Sequence, residues 1–282
     1  MRMRRPAQAG AFYSADKASL ITEIEKCFLH KLGPGKLPEL QEPGERRIVS
    51  AVSPHAGYMF SGPVAAHLYS ALASDGIPDT VVILGPNHYG MGTGLSAMVE
   101  GTWLTPLGEV EIDSDLAKQI CKNSGMIDND PSAHVNEHSI EVQLPFLQYI
   151  YGNRFKFVPI SMMMQDIESS RNVGKSIAES VSGRNVLTIA SSDMSHYEPQ
   201  KVTEKKDRLA ANAIQKLDEE ELQRVVEAES ISMCGYGPVS SAIVAAKLLQ
   251  GNSAKIVSYL TSGDITGDYS QVVGYLSASM SK

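Results

Sequence analysis

Two stretches, Ile48–Tyr58 (IVSAVSPHAGY) and Thr80–His88 (TVVILGPNH), decide how the 282-residue chain folds. Each opens with a short run of apolar and small residues and ends at a proline, at Pro54 and at Pro86. Runs of this length bounded by Pro or Gly read as strands buried on both faces. A histidine follows each break, His55 and His88. A third run, Asn185–Ala190 (NVLTIA), leads through Ser-Ser-Asp-Met-Ser to His196. In open α/β sheets ligands bind beyond the carboxyl ends of the strands, so parallel pairing would bring these three histidine loops to one edge.

Outward from these runs, strand and helix alternate. Further strands are predicted at Leu95–Val99 and Val110–Ile112, around a turn at Thr105–Gly108, and at Phe155–Ser161, Ile256–Leu260 and Val272–Ser277. Helices are predicted over Pro63–Ala73, with Ser61 as cap and Pro63 in the first turn, and over Asp115–Asn123, capped by Asp113. Others are expected at Ser139–Tyr149, kinked or restarted by Pro145, and at Ile167–Val181, Val202–Leu217, Glu219–Glu229 and Pro238–Leu249. The alternation implies an α/β fold with a mixed, largely parallel sheet. A single domain over 1–282 is expected. The Pro/Gly-rich connector Leu32–Arg47 would at most set an N-terminal arm apart from the core.

Composition narrows the function. The chain is 43% hydrophobic and 20% charged, ordinary for a globular protein. Its net charge of -7 argues against a bulk nucleic-acid binder. The uncharged stretches contain Gly, Pro and hydroxyl residues and do not read as membrane spans. Met1–Arg5 is basic, but the segment after it is too short and mixed for a signal core. Cys27, Cys121 and Cys234 are odd in number and show no C-x-x-C pair, which favours a reducing cytoplasm over a disulfide framework. Neither a P-loop nor a G-x-S-x-G elbow occurs, and Gly90–Gly94 (GMGTG) lacks the dinucleotide fingerprint.

The chemistry therefore rests on His and Cys. Two imidazoles with a soft or acidic third ligand suit a transition metal. Asp193 is placed either as a further ligand or as the group that orients His196. His134 and His138 are spaced H-x-x-x-H, with His138 expected to face the site and His134 the solvent. Cys234 lies just before the helix at Pro238, where the dipole and free N–H groups would favour its thiolate.

These residues carry a resemblance. Arg5-Pro6-Ala7 with Phe12-Tyr13, Pro54-His55-Ala56-Gly57-Tyr58, Leu84-Gly85-Pro86-Asn87-His88 and Thr105-Pro106-Leu107-Gly108 match the Memo family. So do Glu137-His138-Ser139-Ile140-Glu141 with Gln143-Leu144-Pro145, Ser191-Ser192-Asp193-Met194-Ser195-His196-Tyr197, and Cys234-Gly235. Prokaryotic members of that family are often called AmmeMemoRadiSam system protein B. The family is similar in fold to the class III extradiol dioxygenases of the LigB type, which implies a three-layer α/β sandwich. By that resemblance His55 and His88 match the metal-binding histidines. His196 matches an acid–base histidine, and His138 a second histidine on the substrate side. Cys234 stands where the dioxygenases carry a glutamate. The implied cofactor is Fe(II) or Cu, with Zn as a further candidate. The resemblance also implies a radical-SAM protein and an AMMECR1-like protein as partners.

Three functions fit these residues. The first is metal-dependent, dioxygenase-like redox chemistry, with His196 and Asp193 handling protons and His138 binding substrate. The second is a binding module that recognises a peptide or small anionic aromatic ligand in the same cleft, as eukaryotic relatives are described to do. The third is zinc-dependent hydrolysis with Asp193 or Glu141 as base.

Overall fold

The computed structural model describes residues 3–282; Met1 and Arg2 of the basic opening stretch lie outside the described residues. In chain order the strands are β1 (Met3–Arg4), β2 (Ile48–Ser53), β3 (Thr80–Pro86), β4 (Leu95–Ala97), β5 (Thr102–Thr105), β6 (Gly108–Glu111), β7 (Asp128–Asn129), β8 (Lys156–Met162), β9 (Val186–Ser191), β10 (His196–Glu198), β11 (Ser253–Thr261) and β12 (Val272–Ser281). The helices are α1 (Lys17–Leu29), α2 (Tyr58–Asp75), α3 (Ser114–Ser124), α4 (Leu144–Tyr151), α5 (Ile167–Ser180), α6 (Gln200–Gln215), α7 (Glu219–Ala228), α8 (Tyr236–Leu248) and α9 (Ser262–Thr266).

One large mixed sheet runs in the order β10-β12-β2-β9-β3-β8-β4-β7, with β11 also paired to β12. Its centre is parallel: β9 lies between β2 and β3, and β3 pairs with β8. The flanks turn antiparallel at β12 and β4. Strands β2, β3 and β9 are buried along their whole length, which is why they read as unbroken apolar runs. Helix α2 covers one face with α1 and α4 behind it, and α8 covers the other beside α5 and α7. This is the expected three-layer α/β sandwich. Both α2 and α8 are buried almost all round, as helices in the middle of a layered core must be. Gly174 of α5 lies so close to α8 that a Cβ there would meet Ser241 O at 2.5 Å and Val244 Cβ at 2.7 Å.

Several elements differ from expectation. Helix α2 starts at Tyr58, not Pro63, and Pro63 lies inside it. Its first turn is held from outside: Tyr58 N donates to Phe12 O at 2.8 Å, and Ser61 Oγ donates to Ala56 O at 2.9 Å. Tertiary contacts thus replace the local start signal. The Ser139–Tyr149 segment restarts as expected, with a 3₁₀ turn at Glu141–Gln143 and α4 from Leu144, placing Pro145 in its first turn. The hairpin β5–β6 was legible only in its second half and turn. It joins β1 in a separate three-stranded sheet. That sheet ties the N-terminus to the body, so the Leu32–Arg47 connector does not set an arm apart: Arg4 pairs with Trp103. Among the described residues no helix is long and apolar enough to cross a membrane.

His134, expected in solvent, is fully buried beside Trp103, with ring centroids 5.5 Å apart. Burial, and next the Arg4 charge, push its imidazolium down to about 4. A base with a lowered folded-state pKa stabilises the fold above its unfolded value of about 6.5 and loses that contribution as pH falls toward 4. The wild type should therefore lose about 3 kcal/mol more stability than His134→Phe between pH 7 and pH 4. Urea denaturation across that range measures it, and equal acid limbs for the two proteins would contradict the assignment.

Candidate metal centre

The parallel strands deliver the three histidine loops to one sheet edge. His55 follows β2, His88 follows β3, and Ser191 ends β9 between them. Cys234 comes from the turn before α8, whose capping residue Gly235 donates its N–H to Ser192 Oγ at 2.9 Å. A Cβ on Gly235 would meet Ser191 O at 2.5 Å, so glycine is needed for this turn to close on β9.

Here His55, His88 and Cys234 converge, with one ligand atom from each within 4.8 Å of the others. Cys234 Sγ lies 3.2 Å from His55 Nε2, and the His55 and His88 rings stand edge to face with centroids 5.2 Å apart. Donors around a four-coordinate ion at about 2.0–2.3 Å are themselves about 3–4 Å apart, so the trio fits an ion with little adjustment.

Both imidazoles have their free nitrogen defined. Ser191 Oγ donates its one proton to Ser139 O at 2.6 Å and accepts from Gln143 Nε2 at 2.8 Å. It must therefore accept from His55 Nδ1, 2.9 Å away, which leaves the His55 Nε2 lone pair facing Cys234. His88 Nδ1 lies 3.0 Å from Glu137 Oε1 and donates to it, so its Nε2 is also free. Burial, and then the imidazoles of His138 and His88, hold the His55 imidazolium well below its ordinary range. The ring is neutral, as a ligand must be.

Glu137 could also hold a metal with His88 and His138, but its oxygens are engaged. Oε2 accepts from His88 N at 2.6 Å, and Oε1 accepts from His138 N and Ser139 N at 2.8 Å each as well as from the His88 ring. Burial alone would raise this carboxyl. The His88 hydrogen bonds and the His88 and His138 charges overcome that and hold it far below the carboxylate range. Glu137 is thus the orienter of His88.

Four residues further on, Glu141 is fully buried and clamps the N-terminal segment. It pairs with Arg4 and accepts from Ala7 N at 2.8 Å, Gln8 N at 2.9 Å and Tyr13 Oη at 2.6 Å. Arg4 also donates to His134 O at 2.9 Å and Glu137 O at 2.7 Å, with its guanidinium 4.3 Å above the Trp103 ring. A carboxylate so engaged does not serve as the base considered for hydrolysis. The clamp sets Phe12 against His138, ring centroids 4.7 Å apart.

Beside the trio opens a cleft of about 690 Å³, bordered by Phe12, His138, Asp193, His196 and Tyr275 among others. His138 stacks on His88 at 4.5 Å, and burial pushes its imidazolium down to about 4. His196 is not held by Asp193. Its N–H donates to Ser232 Oγ at 2.7 Å, and its Nδ1 donates to Ser232 O at 2.9 Å. Asp193 instead accepts the His55 main-chain N–H at 2.8 Å, and burial raises its carboxyl. It lies outside the groups whose atoms converge as ligands. The thiolate expected from the α8 dipole is not favoured either: burial, and then the Asp193 charge, push the Cys234 thiol up, despite the 3.2 Å hydrogen bond from Asp193 N. Only a bound cation would make the thiolate the stable form.

Arg4, Glu137, Gln143 and Ser191 were not singled out as site residues from the sequence. The last three sit inside the quoted family motifs, which was the one signal that could have found them. Arg4 lies one residue before the first motif.

Comparison with known proteins agrees with this architecture. A family model described as "Memo-like protein" matches residues 4–279. MEMO1 family protein MK0963 of Methanopyrus kandleri is 52% identical over 274 residues, 96% of each chain. MEMO1 family protein MTH_45 of Methanothermobacter thermautotrophicus is 50% identical over 97% of this chain and 98% of its own. MEMO1 family protein MJ0403 of Methanocaldococcus jannaschii is 46% identical over 98% of both. Among solved structures, the uncharacterized protein JW3007 from Escherichia coli K12 superposes with a TM-score of 0.55 at 12% identity, covering 83% of this chain and 99% of that one. That likeness concerns the fold alone.

If Glu137 orients His88, Glu137→Gln should weaken metal binding about 10- to 100-fold while the protein stays folded. Competition with a chelator measures this, and unchanged affinity would remove Glu137 from its role. Breaking the buried clamp by Arg4→Ala should cost about 3–5 kcal/mol in chemical denaturation, because it strands the Glu141 charge.

Proposed function

The chain belongs to the Memo family, and from that premise we propose that it is a metal-dependent redox enzyme, dioxygenase-like in its chemistry, acting on a small or modified substrate. His55, His88 and Cys234 would hold the ion. The observation that carries the reading is that both imidazoles are locked by hydrogen bonds in the form that leaves Nε2 free beside one thiol, at the wall of a cleft. Two imidazoles suit iron or copper, and the thiolate adds preference for copper or zinc. When bound, the ion would supply redox and Lewis-acid chemistry at that wall.

The remaining roles belong to the chain's own groups. His196 spends its Nδ1 proton on Ser232 O, so its Nε2 is the atom that would take or give a proton to substrate. His138, neutral and stacked on His88, would hydrogen-bond substrate without adding charge. Asp193 would act through the His55 main chain, fixing the turn that carries the ligand. A radical-SAM protein and an AMMECR1-like protein are proposed as the partners that supply or modify the substrate.

The cleft lining weighs against an anion-recognising module. It contains Asp193 and Asp268 but neither Lys nor Arg, and two of its imidazoles, His55 and His138, are held neutral. Without a bound ion, a phosphate or carboxylate would find little among these side chains to balance its charge.

Anaerobically purified wild type should carry about one iron or copper per chain by elemental analysis, and both His55→Ala and Cys234→Ser should lose it. Retention by both variants would refute the ligand set. Oxygen uptake with a panel of dihydroxylated aromatics should fall about 10²- to 10⁴-fold in His196→Ala. Tight ligand binding without any oxygen consumption would instead favour the binding module.

A further inference from the structure

Each imidazole that could hold the ion leans on one side chain, His55 on Ser191 and His88 on Glu137. The turn that carries Cys234 leans on a side chain of its own. Gln165 lies in the loop between β8 and α5, and both ends of its amide reach that turn. Its Nε2 donates to Cys234 O at 2.9 Å, and its Oε1 accepts from Gly237 N, also at 2.9 Å. Only this orientation of the amide pairs a donor with an acceptor at each end.

The second bond answers a need of the helix. Helix α8 starts at Tyr236, and its capping position is Gly235, which has no side chain to accept a hydrogen bond. The N–H of the second helical residue, the buried Gly237, is then a donor without a local acceptor. Gln165 supplies the acceptor from another element. The approach is close: a Cβ on Gly237 would meet Gln165 Cβ at 2.7 Å and Cα at 2.8 Å. Gln165 is itself held. Its carbonyl accepts from Gln223 Nε2 of α7 at 2.8 Å, and the next residue, Asp166, caps α5.

The first bond bears on the site. Other contacts to the Cys234 turn come from the chain after β9. Ser192 Oγ accepts from Gly235 N, Asp193 N donates to the thiol at 3.2 Å, and His196 bonds Ser232. Gln165 comes instead from the end of β8. That end is tied to the loop carrying His88, since Asn87 N donates to Met162 O at 3.1 Å. Only Met163 and Met164 separate Met162 from Gln165. A short path of bonded groups therefore runs from the His88 loop to the Cys234 carbonyl.

We propose that Gln165 is the positioning residue for Cys234, and that its bond to the Cys234 carbonyl fixes where the thiol stands relative to His88. This role rests on the reading of Cys234 as a ligand. Gln165 would then shape the coordination of the ion as well as cap α8.

Cobalt(II) added to the metal-free full chain in neutral buffer tests this, because thiolate ligation gives a charge-transfer band and the visible bands report geometry. Gln165→Glu separates the two bonds. Its carboxylate still accepts from Gly237 N and suits a helix N-terminus, so the melting temperature should stay at or above that of wild type. It cannot donate to Cys234 O. Cobalt affinity, measured by competition with a chelator, should fall about 10- to 100-fold, and the thiolate-to-cobalt band should shift or weaken. Gln165→Met loses both bonds and should add a lower melting temperature to the same change. A Gln165→Glu protein that melts well below wild type, or one that keeps the wild-type band and an affinity within about threefold, overturns the role of Gln165 alone. Failure of the ligand reading looks different and overturns both: the wild type itself gives no thiolate-to-cobalt band, and Cys234→Ser binds cobalt as tightly.

Discussion

Everything at the site depends on one buried carboxylate accepting four N–H groups. Glu137 takes both the ring and the main chain of His88, and the main-chain N–H groups of His138 and Ser139. A buried carboxylate is costly unless its lone pairs are filled, and here they are. The two bonds from His88 weld the end of β3 to the segment that carries His138, so one carboxylate places the His88 and His138 imidazoles together. Arg4 closes the arrangement from behind. It donates to the Glu137 carbonyl, pairs with Glu141, and stacks over Trp103. Two glutamates four residues apart thus divide the work: one aims an imidazole, and the other holds the N-terminal segment that brings Phe12 to the cleft.

What could be read from the sequence follows from the range of the interactions. The strand ends after which His55, His88 and His196 stand are legible because an apolar run, stopped by Pro in the first two cases, and a following histidine are local signals. The sheet edge on which they meet followed from parallel pairing alone. Cys234 was attached to His55 and His88 by resemblance, since nothing local says that a turn so far along the chain closes onto β9. The Asp193–His196 contact failed because nearness in sequence was read as nearness in space. The chain enters β10 at His196, where its main chain and ring turn to Ser232 and away from the Asp193 carboxylate. His134 failed for a related reason. A polar-looking loop reads as solvated, yet its His134 packs beside Trp103 and is fully buried. The start of α2 was misplaced because its first turn is held by Phe12, from a segment more than forty residues earlier.

The two imidazoles that could hold an ion are built unequally, and the difference gives the site a direction. His88 leans on a carboxylate, which fixes its tautomer and ring orientation, and its side chain keeps 31% of its exposure. His55 leans on a serine hydroxyl, a weaker partner, and is 2% exposed. The serine is itself fixed: its proton goes to Ser139 O and its second acceptor site to Gln143, whose amide also donates to Pro54 O at 2.9 Å. His55 and Cys234 therefore form the more enclosed half of the site, set in the packed end of β9, while His88 is the more exposed of the two imidazoles that border the cleft. His138, His196 and Tyr275 also border the cleft. A ligand entering the cleft would meet His88 before the more deeply buried His55. Of the groups there, His196 has its Nδ1 committed to Ser232 O, which leaves its Nε2 to hydrogen-bond or exchange a proton with that ligand.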